Sequence, residues 1–132
     1  LLTRLVYNYN DFKFDKGFYK GNQIAGIPKQ TIFLELEYKL AESFIVAPNL
    51  KIQPDDNWAD HLNTIKQDSF HLWGLKLAYN PKPNLNLYMN FNNLADKVYS
   101  STYAIRAEST ADLPTFLPGD GFNYSFGIKY TF

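Results

Sequence analysis

The chain contains no cysteine, which excludes a disulfide scaffold, a thiolate zinc site and a thiol nucleophile. It has no net charge either, since thirteen Lys and Arg residues balance thirteen Asp and Glu. Without a basic excess there is no electrostatic case for nucleic acid as a partner. No apolar run approaches the roughly 18 residues that a membrane-spanning helix requires. No segment shows convincing helical periodicity. Neither an initiator Met nor a basic-then-apolar leader precedes Leu1, as expected of a mature product or a piece of something larger. At 132 residues the chain is one domain's worth of sequence at most. Aromatic residues, by contrast, are abundant: Phe 11, Tyr 10 and Trp 2, or 17% of the chain. Mean hydropathy is nonetheless −0.33, so the aromatics must be distributed in a pattern.

The pattern has period two. Phe122, Tyr124, Phe126, Ile128, Tyr130 and Phe132 alternate without interruption with Gly121, Asn123, Ser125, Gly127, Lys129 and Thr131. Period two puts the two sets on opposite faces of a strand, whereas a helix would scatter them around its circumference. Leu85, Leu87, Met89 and Phe91 alternate with Asn and Tyr residues over 84–93. Over 30–40, Ile32, Leu34, Leu36, Tyr38 and Leu40 alternate with a set that includes Glu35, Glu37 and Lys39. Trp73, Leu75, Leu77 and Tyr79 mark a strand over 70–79. Residues 44–52 form another, in which Pro48 sits awkwardly. Residues 1–14 alternate through Leu5, Tyr7 and Tyr9 and then shift phase to Phe12 and Phe14, as a bulge would produce.

Six strands result, and their connections alternate long, short, long, short, long. The short ones lie near Ala41-Glu42 and at Asn80-Pro81-Lys82-Pro83; the long ones cover roughly residues 15–29, 53–67 and 95–120 and are polar. A soluble sandwich has no reason to place every long loop at one end. An outer-membrane barrel does, with short periplasmic turns, long extracellular loops and strands of about ten tilted residues. The apolar face suits lipid. The opposite face, with Glu35, Glu37, Lys76 and several Asn residues, suits a hydrated lumen rather than a small barrel's dry core. Aromatics near strand ends (Tyr7, Tyr9, Tyr38, Tyr79, Tyr130, Phe132) fit the two interfacial girdles. The competing architecture is a water-exposed antiparallel sheet packed on something absent from this chain. The fold class expected is therefore all-β, an antiparallel up-and-down transmembrane β-barrel segment of about six strands.

Several short elements carry a resemblance to a known family. Asn93-Leu94-Ala95-Asp96-Lys97-Val98-Tyr99 resembles the NL-x-D-x-x-Y element near the end of TonB-dependent outer-membrane receptors. Gly127-Ile128-Lys129-Tyr130-Thr131-Phe132 resembles their last strand, with its terminal aromatic. Gly26-Ile27-Pro28 resembles the small-apolar-Pro step that opens an upstream strand, and Pro118-Gly119 the step before the final one, although the Arg that usually follows is replaced here by Phe122 and Asn123. The resemblance implies that residues 1–132 are the C-terminal portion of a barrel of about twenty-two strands, with the plug and earlier strands elsewhere. It implies TonB-dependent import of a nutrient chelate, most often a ferric siderophore, across a Gram-negative outer membrane. It also implies no resident cofactor and no enzymatic activity. The partners it implies are outer-membrane lipid, the rest of the same barrel, the TonB complex acting through the plug, the barrel-assembly machinery and a small-molecule metal chelate. Phe126, Ile128, Tyr130 and Phe132 would form the assembly signal.

Residue chemistry adds little to a catalytic case. The two histidines are His61 and His71, and Ser69 and His71 lie too close along one strand to act as nucleophile and base. An outer-membrane barrel lipase or protease is the enzymatic alternative. The run from Asp55 to His61 is the densest polar cluster, but it has no rigid metal-ligand spacing and reads as a solvated loop. Ligand recognition is expected of the long loops as a region, with Tyr19, Trp58, His61, Tyr103 and Arg106 as candidates and Tyr99 beside them. Rings stack on planar ligands and Arg pairs with anions. Glu35, Glu37 and Lys76 are expected to pair along the wet wall or to touch a plug. Asn123-Tyr124-Ser125 matches a glycosylation acceptor but falls in a membrane strand and is discounted.

Overall fold

Six long strands follow one another as a simple meander in a computed structural model that describes residues 1–110 and 115–132. They are β1 (Leu2–Tyr9), β2 (Gln30–Ala41), β3 (Phe44–Gln53), β6 (Phe70–Lys82), β7 (Leu85–Asn92) and β10 (Asn123–Tyr130), joined in the order β1-β2-β3-β6-β7-β10. Every neighbouring pair is antiparallel. Two small ribbons interrupt the loops: β4 (Asn57–Trp58) with β5 (Lys66–Gln67), and β8 (Ser100–Tyr103) with β9 (Phe116–Pro118). The described residues contain no helix. Residues 111–114, inside the third expected loop, lie outside the described set.

Register turns the alternation into two surfaces. Tyr38, Val46, Leu77, Met89 and Phe126 are successive cross-strand neighbours over five strands. Beside them run Leu75, Phe91 and Tyr124, and also Leu5, Leu34, Leu50 and Trp73. The one Lys, Arg, Asp or Glu in register with this face is Lys82, opposite Leu85 at the short-turn end of the sheet. The other face holds Arg4, Glu35, Glu37, Lys39, Lys51, Lys76 and Lys129 among amides and small residues. There Lys76 pairs with Glu35 at 2.5 Å, and Arg4 lies 5.9 Å over the Phe33 ring. Asn92 donates to Asn123 at 2.9 Å and Asn90 to Ser125 at 3.3 Å.

Burial shows that the apolar face has no cover among the described residues of this chain. The buried apolar residues among those described are Ala25, Ala47, Ala59 and Phe70. Leu5, Phe126 and Ile128 are 66%, 58% and 62% exposed, and no second layer covers them. An apolar face this broad is not stable in water, where apolar burial is the main driving force. It fits hydrocarbon. Strands of 8 to 13 residues, tilted by about 40°, span about 20–33 Å, which matches an apolar band about 25 Å tall. Both β1 and β10 have an unpaired edge among the described residues, and the six strands do not close. Closure needs at least eight strands, and an open edge in lipid strands N–H and C=O groups at several kcal/mol each.

Two local expectations are corrected, and a third holds with a physical reason. Phe12 and Phe14 do not continue β1 past a bulge. The strand ends at Tyr9, and Phe14 folds back through paired amides with Asn22 and Gly21 because the chain closes a loop there. The second short turn is also tighter than its sequence suggests: β6 runs through Pro81 to Lys82, with a register shift between Tyr79 and Lys82 absorbing the proline. Pro48 sits in a central strand. It is tolerated because the β2–β3 ladder lapses beside it, between the Glu35–Asn49 and Tyr38–Val46 pairs.

Candidate ligand-facing loop cluster

All three long connections leave the sheet at the same end and fasten to one another. The first (residues 10–29) meets the second (54–69) through Asn63, whose side chain accepts from the Gln23 amide at 2.8 Å and donates to the Gln23 carbonyl at 3.0 Å. Asn63 adopts φ 58°, a left-handed conformation that asparagine tolerates better than most residues. Gly26 donates to the Trp58 carbonyl at 2.8 Å. Its φ is 77°, and a Cβ there would stand 2.5 Å from Ile105 of the third loop, so this position requires glycine.

The second loop meets the third (93–122) through Asp60. This residue is fully buried, and its carboxylate accepts from the amides of Thr64 (2.8 Å), Ile65 (3.2 Å) and Ser109 (3.2 Å) and from the Thr64 hydroxyl. Burial pushes the carboxyl up. The hydrogen bonds from the Thr64 side chain and amide, then from Ser109 and Ile65, outweigh it and hold Asp60 below the ordinary carboxylate value. Beside it, His61 and Leu62 donate their amides to the carbonyls of Arg106 and Ala107 at 3.0 and 2.9 Å.

The third loop is anchored to the wall by the NL-x-D-x-x-Y element. Asn93, buried at φ 49°, donates to the carbonyls of Lys97 (2.9 Å) and Asp120 (3.0 Å) and accepts from the Lys97 amide (2.9 Å). Asp96 accepts from the Phe122 amide at 2.8 Å. Tyr99 lies 5.0 Å from Phe70, ring to ring, and so close over Gly119 that a Cβ there would be 2.2 Å from its ring. Asn93, Asp96 and Tyr99 therefore clasp the entrance to the last strand, and Tyr99 is committed to packing.

The candidate recognition residues are brought onto this one body. Tyr19 and His61 are half-buried and form a ring cluster with Phe14: Phe14–His61 5.0 Å, Phe14–Tyr19 5.3 Å, Tyr19–His61 5.7 Å. The Ala25 amide points at His61 Nδ1 over a long 3.5 Å. Trp58 is half-buried on β4, opposite Lys66. Tyr103 stacks edge-on against Phe116 at 5.8 Å, and Arg106 is exposed with no ion pair among the described residues. Phe126, Ile128 and Tyr130 lie far from the loops, on the outward face of the edge strand β10, with Phe132 beyond them packed 5.1 Å from Tyr130.

The acidic run does not converge on one point. Asp55 accepts from Gln30 at 2.8 Å, Asp56 pairs with Lys66, Asp60 is buried as described and His61 sits among rings. The Lys66 ammonium, followed by the Ser69 amide, holds Asp56 below its usual value, and Asp56 in turn raises Lys66. Ser69 spends its amide on Asp56, while His71 lies on the outward face opposite Ile52, so the two do not form a nucleophile–base pair. Between the start of β6 and the third loop lies a cleft of about 480 Å³ lined by Lys66, Phe70, Lys97, Val98, Tyr99 and Phe116.

The sequence alone does not single out Asp60, Asn63, Asn93 or Phe14. Asp60 hides within a run of acids, and Phe14 in an apparent strand. The signal available for Asn93 lies in its motif rather than in its own chemistry.

A sheet apolar on one face and largely polar on the other, with its long loops clustered at one end, has counterparts among known proteins. The family model for the TonB dependent receptor-like beta-barrel matches residues 1–94. The chain belongs to that family. The probable TonB-dependent siderophore receptor PiuA of Acinetobacter baumannii is 33% identical over 99 residues, covering 71% of this chain and 13% of PiuA. The crystal structure of the A. baumannii siderophore receptor PiuA superposes with a TM-score of 0.70 at 26% identity, over 85% of this chain and 15% of that one. BauA, the ferric preacinetobactin receptor of the same species, gives 0.71 at 17% identity over 97% of this chain and 19% of its own, a likeness of fold. The chain thus spans less than a fifth of the receptors it matches. It is a section of TonB-dependent receptor barrel, all-β and antiparallel, as its alternation and resemblance indicate.

Proposed function

We propose that residues 1–132 are the C-terminal portion of the barrel domain of a receptor that imports a metal chelate, foremost a ferric siderophore, across the Gram-negative outer membrane. The observation that carries this reading is the interlocked loop body at one end of a lipid-type wall. It presents Tyr19, Trp58, His61, Tyr103 and Arg106 together, in a chain one-third identical to a siderophore receptor over 99 residues. Rings offer faces to a planar chelate, and Arg106 offers a fork of donors to an anionic one. The wall supplies no energy source. Work would come from the TonB complex through the plug, and lipid and the remaining strands would complete the barrel. Phe126, Ile128, Tyr130 and Phe132 fit the role of assembly signal, since they line the outward face of an unpaired edge strand.

Two measurements test this. Deleting the full gene should abolish growth on one defined ferric siderophore while sparing growth on unchelated iron. Full-length protein that is monodisperse without detergent would refute the membrane reading, and unchanged growth on every chelate tried would refute the transport reading.

A further inference from the structure

Charge is unevenly placed in this neutral chain. The lumen face carries five cations (Arg4, Lys39, Lys51, Lys76, Lys129) against two carboxylates (Glu35, Glu37), a net of three positive charges. Of these, only Lys76 is tied into an ion pair with a described residue. The loops carry the compensating acids, of which Asp56 and Asp11 pair with lysines of their own loops, Lys66 and Lys13. The strand residues of the lumen face therefore keep their positive excess.

At the loop end of that face the third loop roofs a pocket of about 320 Å³. Its lining includes Phe33 and Asn49, Lys51, Asn92, Tyr99 and Asp120. Lys51 stands in register with Phe33 on one side and Leu72 on the other, so its ammonium rises from the wall between apolar neighbours. Four asparagines and three aromatic residues line the pocket with it, and Asp120 is the acid in the lining. The volume lies at the lower end of the range for small-molecule sites, with few polar groups placed among rings.

We propose that this Lys51 pocket is a binding subsite for an anionic oxygen group of the chelate, and that it makes the receptor prefer negatively charged chelates over cationic ones. The proposal rests on the transport reading above and names the charge class of its cargo. Lys51 supplies the charge-assisted hydrogen bond, Asn49 and the second N–H of the Asn92 amide add donors, and Phe33 backs a planar group. Asp120 opposes the anion and sets an upper limit on affinity. An acidic segment of the plug is the competing occupant, but a pocket roofed by the chain's own loop at the outer end favours a small group entering from the loop side.

The test uses full-length receptor in detergent and follows quenching of tryptophan fluorescence by a ferric tris-catecholate (anionic), ferric citrate (anionic) and ferrioxamine B (cationic). Lys51→Gln should weaken binding of the anionic chelates about tenfold, as loss of one charge-assisted hydrogen bond predicts, and leave ferrioxamine unchanged. Asp120→Asn should move the anionic chelates the opposite way, to tighter binding. Equal affinities in wild type and both variants overturn the proposal while the transport reading stands. If Lys51→Gln leaves all chelate affinities unchanged but lowers thermal stability, the lysine serves the plug and the proposal also fails. Wild type that binds none of the three removes the transport reading itself.

Discussion

Replacing Asp60 with alanine removes one carboxylate that four donors share, and the consequence can be worked from the geometry. The amides of Thr64, Ile65 and Ser109 and the Thr64 hydroxyl all point at a side chain with no solvent exposure. Each buried donor left without a partner costs about 1–3 kcal/mol, and the hydroxyl can rotate toward another acceptor. Water entering the small void would recover part of the loss. A net cost of about 3–5 kcal/mol follows, confined to the junction of the second and third loops. The β3–β6 and β6–β7 ladders do not depend on Asp60, so the barrel wall should keep its stability. Hydrogen exchange on the full-length protein in detergent reads the two regions separately. Amides of 59–65 and 104–109 should exchange on the order of 10²- to 10³-fold faster in the variant, while those of 44–53 and 70–79 stay unchanged. Asp60→Asn keeps the shape and one acceptor, and should fall between. The pH dependence follows from the same contacts. Because the folded value of Asp60 is depressed, its contribution is complete above the unfolded value of about 3.9 and is lost as pH falls through the lower folded value. Loop protection should therefore hold from neutral pH down to about 4 and decline below it, and Asp60→Asn should flatten that decline. Unaltered exchange at 59–65 in Asp60→Ala would refute the latch argument, as would uniform acceleration across the strands.

Four further outcomes are expected. Leu75→Lys, on the outward face beside Phe91, should destabilise the inserted barrel by about 2–4 kcal/mol, whereas Asn90→Lys on the lumen face should be nearly neutral; reversible unfolding in lipid bilayers would show the faces misassigned if the order were inverted. Asn93→Ala removes a buried side chain with three backbone partners and places alanine at a left-handed φ. It should cost about 2–4 kcal/mol and expose 94–122 to limited proteolysis, and a digestion pattern identical to wild type would contradict this. The Lys76–Glu35 pair, with the lysine half exposed, should show a coupling of under about 1 kcal/mol in a double-mutant cycle. Expressed alone, residues 1–132 should neither show heat-modifiable migration on gels nor open channels in bilayers, because six strands leave two edges unpaired.

What the sequence determined by itself was everything governed by period and order. Alternation is local: each residue's parity assigns its face, so Tyr38, Val46, Leu77, Met89 and Phe126 could be placed on one surface without knowing the register that makes them neighbours. Long and short connections could be counted, and an antiparallel meander follows from them. The failures came where backbone chemistry competed with pattern. Phe12 and Phe14 keep an alternating look although the chain is already turning, and Pro81 sits inside a strand whose ladder yields around it.

Only the tertiary structure decided how the loops use their polar residues. Asp55, Asp56 and Asp60 read as equivalent members of one acidic run, yet the first binds Gln30, the second Lys66, and the third is buried on amides 4 to 49 residues away along the chain. Hydrogen bonds between distant segments leave no periodic trace, because any acid in the run could supply the same acceptor. The fold alone shows which one does. The charges of the wall divide the same way: parity sorts them onto the lumen face, and only the fold shows that Lys76 is the one that meets a carboxylate, Glu35.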